Sequence, residues 1–197
     1  MNFCGDAGHG GVDSGAVSKS GIKESVLNLA RTQEIARILR GMRQQVWLTR
    51  SDDRALKPEI RLARANGVKC DVGFSIHYND SDSGAGSGLE IWTSKGDTQA
   101  DPVASTICAS ISSRLPDYPL RTDYLDGDPD KERAHDQKDL YMLRDTKAPW
   151  VLIECGFMCN PADLAMAQAP NFNARLTEAI ALGLVAGAQG MKREARG

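Results

Sequence analysis

Apolar residues recur along this chain with two different rhythms. Between residues 22 and 42, Val26, Leu27, Ala30, Ile35, Ile38, Leu39 and Met42 return at helical spacing, which predicts a long amphipathic helix. Ser20 would cap it, and Glu24 would stand in its first turns. Further helices are expected over 58–68, where Pro58 suits a first turn, over 102–115, and over 173–188, where Leu176, Ile180, Leu184 and Val185 share one side. The second rhythm is a set of short apolar runs bounded by Gly, Pro or polar residues: 2–4, 45–49, 72–76, 90–92, 141–143 and 150–153. These predict strands.

Strands and helices that alternate in this way imply an α/β domain. We expect a twisted, mostly parallel central sheet of about six strands with helices on both faces. The uninterrupted run Val72-Gly73-Phe74-Ser75-Ile76 suits a strand buried on both sides. In such sheets ligands bind outside the carboxyl ends of the strands. His9, His77 and Glu154 each follow a strand, so all three could meet on that edge. One domain is expected over 1–190, followed by a flexible basic tail over 191–197 with Lys192, Arg193 and Arg196. Residues 80–88 and 116–139 read as irregular.

Composition narrows the class. A formal net charge of −2 argues against a phosphate-tracking nucleic-acid binder. No apolar run approaches the roughly 20 residues needed to span a bilayer, so no stable membrane insertion is expected and the chain should be soluble. The first residues run directly into the Asp6–Gly11 segment, leaving no room for a secretory signal, which implies synthesis in the cytoplasm without one. Five cysteines are too few for a disulfide framework at this length, and Cys155 and Cys159 fit no common zinc or redox spacing. Packing thiols are expected, and a monomer is the expected state.

Of three histidines, His9 and His77 sit beside glycines or at a strand end, poor places for core packing. A catalytic zinc site commonly takes three protein ligands, and two His plus one Glu is a known set. His9, Glu24 and His77 supply it, although spacing alone equally allows Glu24 to be an acidic residue favouring the positive end of its helix. Glu154 directly follows Val151-Leu152-Ile153, where a carboxylate is costly to bury without a partner such as water activated at a metal. His135, flanked by Arg133, Asp136 and Lys138, reads as surface, with substrate contact as the alternative. The Asp126, Asp128, Asp130 series fails as a calcium loop, with Lys131 where glycine is needed and Gln137 where glutamate should close it. Ser14 has no triad behind it, and the Gly84, Gly86, Gly88 run lacks the Lys-Ser/Thr of a phosphate loop.

Taken in order, these segments resemble the zinc-dependent N-acetylmuramoyl-L-alanine amidases of the type 3 amidase family, from about residue 2 to 189. Asp6 through Ala16 carries a D-x-G-H-G-G-x-D-x-G-A pattern, with Ala7 where proline is often found. Gly21 to Glu24, Asn28-Leu29, Thr49-Arg50, Arg61, Ala65-Asn66, Ser75 to Asn79, Leu143-Arg144, Glu154 to Phe157 and Asn160-Pro161 follow in order. The resemblance implies one Zn2+ ion held by His9, Glu24 and His77, Glu154 as the catalytic carboxylate, and peptidoglycan as substrate. Asn79, Arg144 and His135 are the candidate substrate contacts. The implied reaction is hydrolysis of the amide between N-acetylmuramic acid and L-alanine. A short 115–141 segment suggests an open site, and the lack of a signal and of wall-binding repeats suggests a phage or prophage lysin acting on the cell wall. The competing readings are a zinc peptidase cleaving within stem peptides and a non-catalytic wall-binding module.

Overall fold

A computed structural model of the chain describes residues 1–81, 83–94, 96–121, 131–133 and 140–195. Its elements are β1 (Asn2–Ala7), α1 (Glu24–Gly41), β2 (Gln45–Leu48), α2 (Pro58–Asn66), β3 (Val72–Asn79), β4 (Glu90–Ser94), α3 (Asp101–Arg114), β5 (Lys131–Arg133), α4 (Tyr141–Asp145), β6 (Trp150–Phe157), α5 (Pro161–Gln168) and α6 (Pro170–Glu194). The six strands lie in the order β2-β1-β3-β6-β4-β5. The first four run parallel, while β4 runs antiparallel to β6 and parallel to β5. The expected mostly parallel sheet is present, with its opposed strands at one edge.

Strand side chains alternate between the two faces, and the alternation sorts the chemistry. One face presents Phe3, Phe74, Ile76, Val151, Ile153 and Ile91, all fully buried, to a large core shared with Ile35 and Leu39 of α1, Ile107 of α3 and Leu184 of α6. Each such side chain contributes roughly 1.5–3 kcal/mol by leaving water. The other face buries Cys4, Trp150 and Leu152 against Ala65 of α2 and Met142 and Leu143 of α4. Towards the carboxyl ends of β3 and β6 this second face turns polar, and His77 and Glu154 lie directly opposite each other there.

Several expectations are corrected. Residues 141–143 form a helix, not a strand: Met142 and Leu143 are both buried in one cluster, which a helix permits and the alternation of a strand does not. The first long helix begins at Glu24, and Ser20 does not cap it. Its leading amides bond instead to backbone carbonyls of the preceding loop, Glu24 to Ala16 at 2.9 Å and Ser25 to Ser14 at 3.0 Å. β3 and β6 run on through His77 and Glu154, so both residues lie within strands. α6 extends to Glu194, with Met191 packed on the core and Lys192 3.0 Å from Asp71; residues 191–194 are therefore helical, not a loose tail. Helix α5 and strand β5 were not expected. Among the described residues no helix is long and apolar enough to cross a membrane.

Candidate active site

The loop after β1 carries the first imidazole. Two buried arginines grip its backbone: Arg50 donates to the carbonyls of Ala7 (2.9 Å), Gly8 (2.8 Å) and Ser25 (2.9 Å), and Arg61 donates to Ala7 (2.6 Å) and to His9. Arg61 also pairs with buried Asp6 at 2.9 Å, and Asp6 accepts from Thr49. The carbonyls of Ala7, Gly8 and His9 thus have partners, and His9 is held in the left-handed region at φ 57°. That conformation costs a non-glycine residue about 1–2 kcal/mol, and the surrounding grip sustains it. Gly8 lies under the His77 ring, where a Cβ would come within 2.2 Å of Cε1.

Glu24 opens α1 and is buried, its side chain only 4% exposed. Its Oε1 accepts from Asn28 Nδ2 (2.9 Å), His77 Nδ1 (3.1 Å) and the Tyr78 amide (3.2 Å), and its Oε2 accepts from the Ala16 amide (3.0 Å) and lies 3.2 Å from His9 Nε2. The other ring nitrogen of His9, Nδ1, lies 2.9 and 3.0 Å from the two oxygens of Asp13. The carboxylate of Asp13 therefore orients the ring so that Nε2 faces Glu24. At Gly15, φ is +62° and a Cβ would stand 2.4 Å from Glu24 Oε2, so the strap over the carboxylate requires glycine.

One ligand atom from each of His9, Glu24 and His77 lies within 4.8 Å of the others, and the two rings meet edge to face at 5.2 Å. Burial opposes charge on all three, but the shared hydrogen bonds win. Those from Glu24 and Asp13 push His9 up to about 9, Glu24 raises His77, and the two imidazoles hold Glu24 well below the usual carboxylate range. Two imidazoles and a carboxylate gathered this closely, with Asp13 and Asn28 fixing them from behind, fit a catalytic divalent zinc ion. Spacing left the role of Glu24 open; its burial between the two rings favours the ligand reading.

Glu154 stands directly across from His77 in the β3/β6 register, and its charge helps to raise His77. On the other side it faces Glu90 of β4. The site is flanked by two cavities. One, of about 270 Å³, adjoins His9 and His77 and is lined by Leu56, Pro58, Arg61 and Tyr141 among others. The second, of about 450 Å³, is lined by Asn79, Glu90, Trp92, Arg121 and Phe157 among others.

Of the three candidate substrate contacts, Asn79 reaches the second cavity, where its Nδ2 donates to Glu90 Oε2 at 3.1 Å. Arg144 is not among the residues lining either cavity. It lies exposed on α4, paired with Asp145 at 2.6 and 2.7 Å, because a short helix turns it towards solvent where a strand was expected. His135 and the Asp126–Asp130 series lie outside the described residues. Sequence reasoning assigned no role to Asp13, Asn28, Glu90 and Arg121. Asp13, four residues beyond His9 in a glycine loop, and Asn28, one turn beyond Glu24, carried a local signal; Glu90 became visible only through the sheet register, and Arg121 only through its contacts with Glu90 and Leu89.

Known proteins resemble this chain in sequence and in fold. The chain is 31% identical over 179 residues to YqiI of Bacillus subtilis (strain 168), covering 91% of this chain and 81% of that protein. It is 30% identical over 181 residues to the probable cell wall amidase LytH of Staphylococcus aureus, covering 91% of this chain but only 55% of LytH, so it spans about half the length of that relative. Among solved structures, the N-acetylmuramoyl-L-alanine amidase AmiC2 of Nostoc punctiforme superposes with a TM-score of 0.83 at 26% identity, covering 96% of this chain and 97% of that one. Residues 5–186 match the model of the family Amidase_3, N-acetylmuramoyl-L-alanine amidase, and with the match spanning nearly the whole chain, this protein belongs to that family.

Proposed function

We propose that this chain is a zinc-dependent hydrolase of the amide joining the lactyl group of N-acetylmuramic acid to the L-alanine of the peptidoglycan stem. The observation that carries the reading is the convergence of His9, Glu24 and His77, with Glu154 next to His77 in register, in a chain that matches this family over residues 5–186. His9, Glu24 and His77 would hold the ion. Zinc in such a donor set supplies Lewis acidity, lowering the pKa of water towards about 7 and polarising a carbonyl. Asp13 and Asn28 keep the ligand side chains aimed, and Arg50 and Arg61 keep the His9 loop in place. Glu154 accepts a proton from the attacking water and delivers it to the alanine nitrogen as the C–N bond breaks, leaving a lactyl carboxylate and a free amine.

The lysin role expected from the sequence is retained as part of this proposal. Partly exposed imidazoles that border a cavity among the described residues support the open site expected with it. It requires that the purified protein degrade isolated cell walls with no added activator. The activity is tested by mass spectrometry of defined muropeptides after digestion, with and without a chelator. Release of peptides with a new N-terminal L-alanine, abolished by the chelator, is the expected result. Cleavage inside the peptide would replace the proposal with the peptidase reading, and full activity in the chelator would remove the metal from it.

A further inference from the structure

The order of groups across the sheet fixes which way the substrate must lie. Neighbouring strands are about 4.8 Å apart, and along one line the site presents His9 after β1, His77 on β3, Glu154 on β6 and Glu90 on β4. Resting on the amidase reading, the acyl carbonyl belongs beside the His9–Glu24–His77 triad, and the departing nitrogen must come within hydrogen-bond reach of Glu154. The bond from carbonyl to nitrogen therefore points from β3 towards β4. The peptide attached to that nitrogen continues into the β4-side cavity, and the muramyl group falls on the side of Tyr141, Leu56 and Pro58.

The β4-side cavity has the chemistry of a peptide subsite. Glu90 is buried, and its two oxygens are divided: Oε2 accepts from Asn79 at 3.1 Å and Oε1 lies 2.8 Å from Arg121 Nε. The guanidinium is set over the Phe157 ring, 5.3 Å from its centroid, and the Arg121 backbone amide is tied to the Leu89 carbonyl at 2.8 Å. A guanidinium carries five donors in a planar fork and can serve several acceptors at once. Asp80 lines the same cavity, so the cavity's overall charge does not draw an anion; attraction has to come at short range from the guanidinium itself. The stem peptide continues from L-alanine through a γ-linked D-glutamate, whose α-carboxyl group stands one residue from the cleaved bond.

We infer that the stem peptide occupies the cavity between β4 and the end of β6, and that Arg121, positioned by Glu90 and Phe157, is the specificity-determining residue that binds its first α-carboxylate.

The test compares kcat and KM of wild type, Arg121→Gln and Arg121→Lys on two muropeptides that differ only in whether that carboxyl group is free or amidated. The wild type is expected to favour the free carboxylate by about tenfold or more in kcat/KM, mostly through KM, as a charge-assisted contact implies. In Arg121→Gln the ratio falls towards one, and in Arg121→Lys, which keeps charge but not the fork, it lies between. A wild-type ratio near one, or a ratio unchanged in Arg121→Gln, overturns the inference while leaving the amidase reading intact. Failure of the wild type to release N-terminal L-alanine from either substrate overturns the amidase reading itself. Calorimetric titration with L-alanyl-D-isoglutamate, the product peptide, gives a readout that needs no turnover: weaker binding by Arg121→Gln than by wild type is expected, and equal binding contradicts the assignment.

Discussion

Replacing Asp13 isolates one contact on which the geometry of the site depends. Its two oxygens hold His9 Nδ1 at 2.9 and 3.0 Å, and Oδ1 also accepts from the Gly15 amide at 3.2 Å, so the same carboxylate aims the ring and braces the glycine strap over Glu24. Losing such an outer partner typically weakens metal binding about 10- to 100-fold. The Asp13 side chain is 59% exposed, so solvent screens its charge and the effect of charge alone belongs at the low end. Asp13→Asn, which keeps the shape and a neutral acceptor, should raise the zinc dissociation constant about tenfold, or about 1.4 kcal/mol. Asp13→Ala removes both contacts and should approach a hundredfold. Competition against a chromophoric chelator at fixed pH and salt measures both, with circular dichroism to confirm the fold. Affinities within twofold of wild type for both variants would refute the claim that Asp13 presents His9 Nε2 to the ion.

Four further outcomes follow from the geometry. Glu154→Gln should retain its zinc by elemental analysis yet lose at least about a hundredfold in kcat, the usual scale of a missing acid–base group; wild-type turnover would remove Glu154 from the chemistry. Gly15→Ala, whose Cβ would stand 2.4 Å from Glu24 Oε2, should lower zinc affinity sharply, whereas Gly21→Ala, at φ +83° with nothing within 4 Å, should cost only about 1 kcal/mol of backbone strain and leave zinc content unchanged; the pair is read by urea denaturation and metal analysis. Because the ion must displace the proton that Glu24 and Asp13 keep on His9, zinc affinity should climb with pH up to about pH 9 and then level off. In chelator-treated protein the sign reverses. Protonated His9 stabilises the fold fully below its ordinary value of 6.5, and that contribution disappears as the pH rises through about 9, so the urea midpoint should fall over the same interval; a flat profile would contradict the pairing.

How much of this was legible in the sequence depended on whether apolar periodicity and function pulled the same way. The core stripe of α1 and the buried run of β3 were readable because Ile35, Leu39, Phe74 and Ile76 all face the same packed core. Strand ends were missed where chemistry sits on them: Asp6, His77 and Glu154 are polar residues inside β1, β3 and β6, and their polarity ended the predicted runs early. The helix at Tyr141–Asp145 failed for a different reason. Three apolar residues fit either period, and only the shared burial of Met142 and Leu143 decides between them. Helix α5 did carry a readable signal, since Asn160 accepts from the Ala162 and Asp163 amides and Pro161 starts the helix. The His9–Glu24–His77 cluster was legible as residue types, whereas Glu90 and Arg121 lacked any local pattern: Glu90 comes to face Glu154 through the antiparallel addition of β4 to β6, and Arg121 reaches Glu90 from a segment whose amide bonds to the Leu89 carbonyl.

The measurement that bears most directly on the account is anomalous diffraction at the zinc edge from crystals of the zinc-loaded protein. The account requires one strong peak within coordination distance, about 2.0–2.2 Å, of His9 Nε2, a Glu24 carboxylate oxygen and a ring nitrogen of His77, beside the Glu154 carboxylate. A peak bound by any other set of side chains, or no site shared by these three, would contradict it.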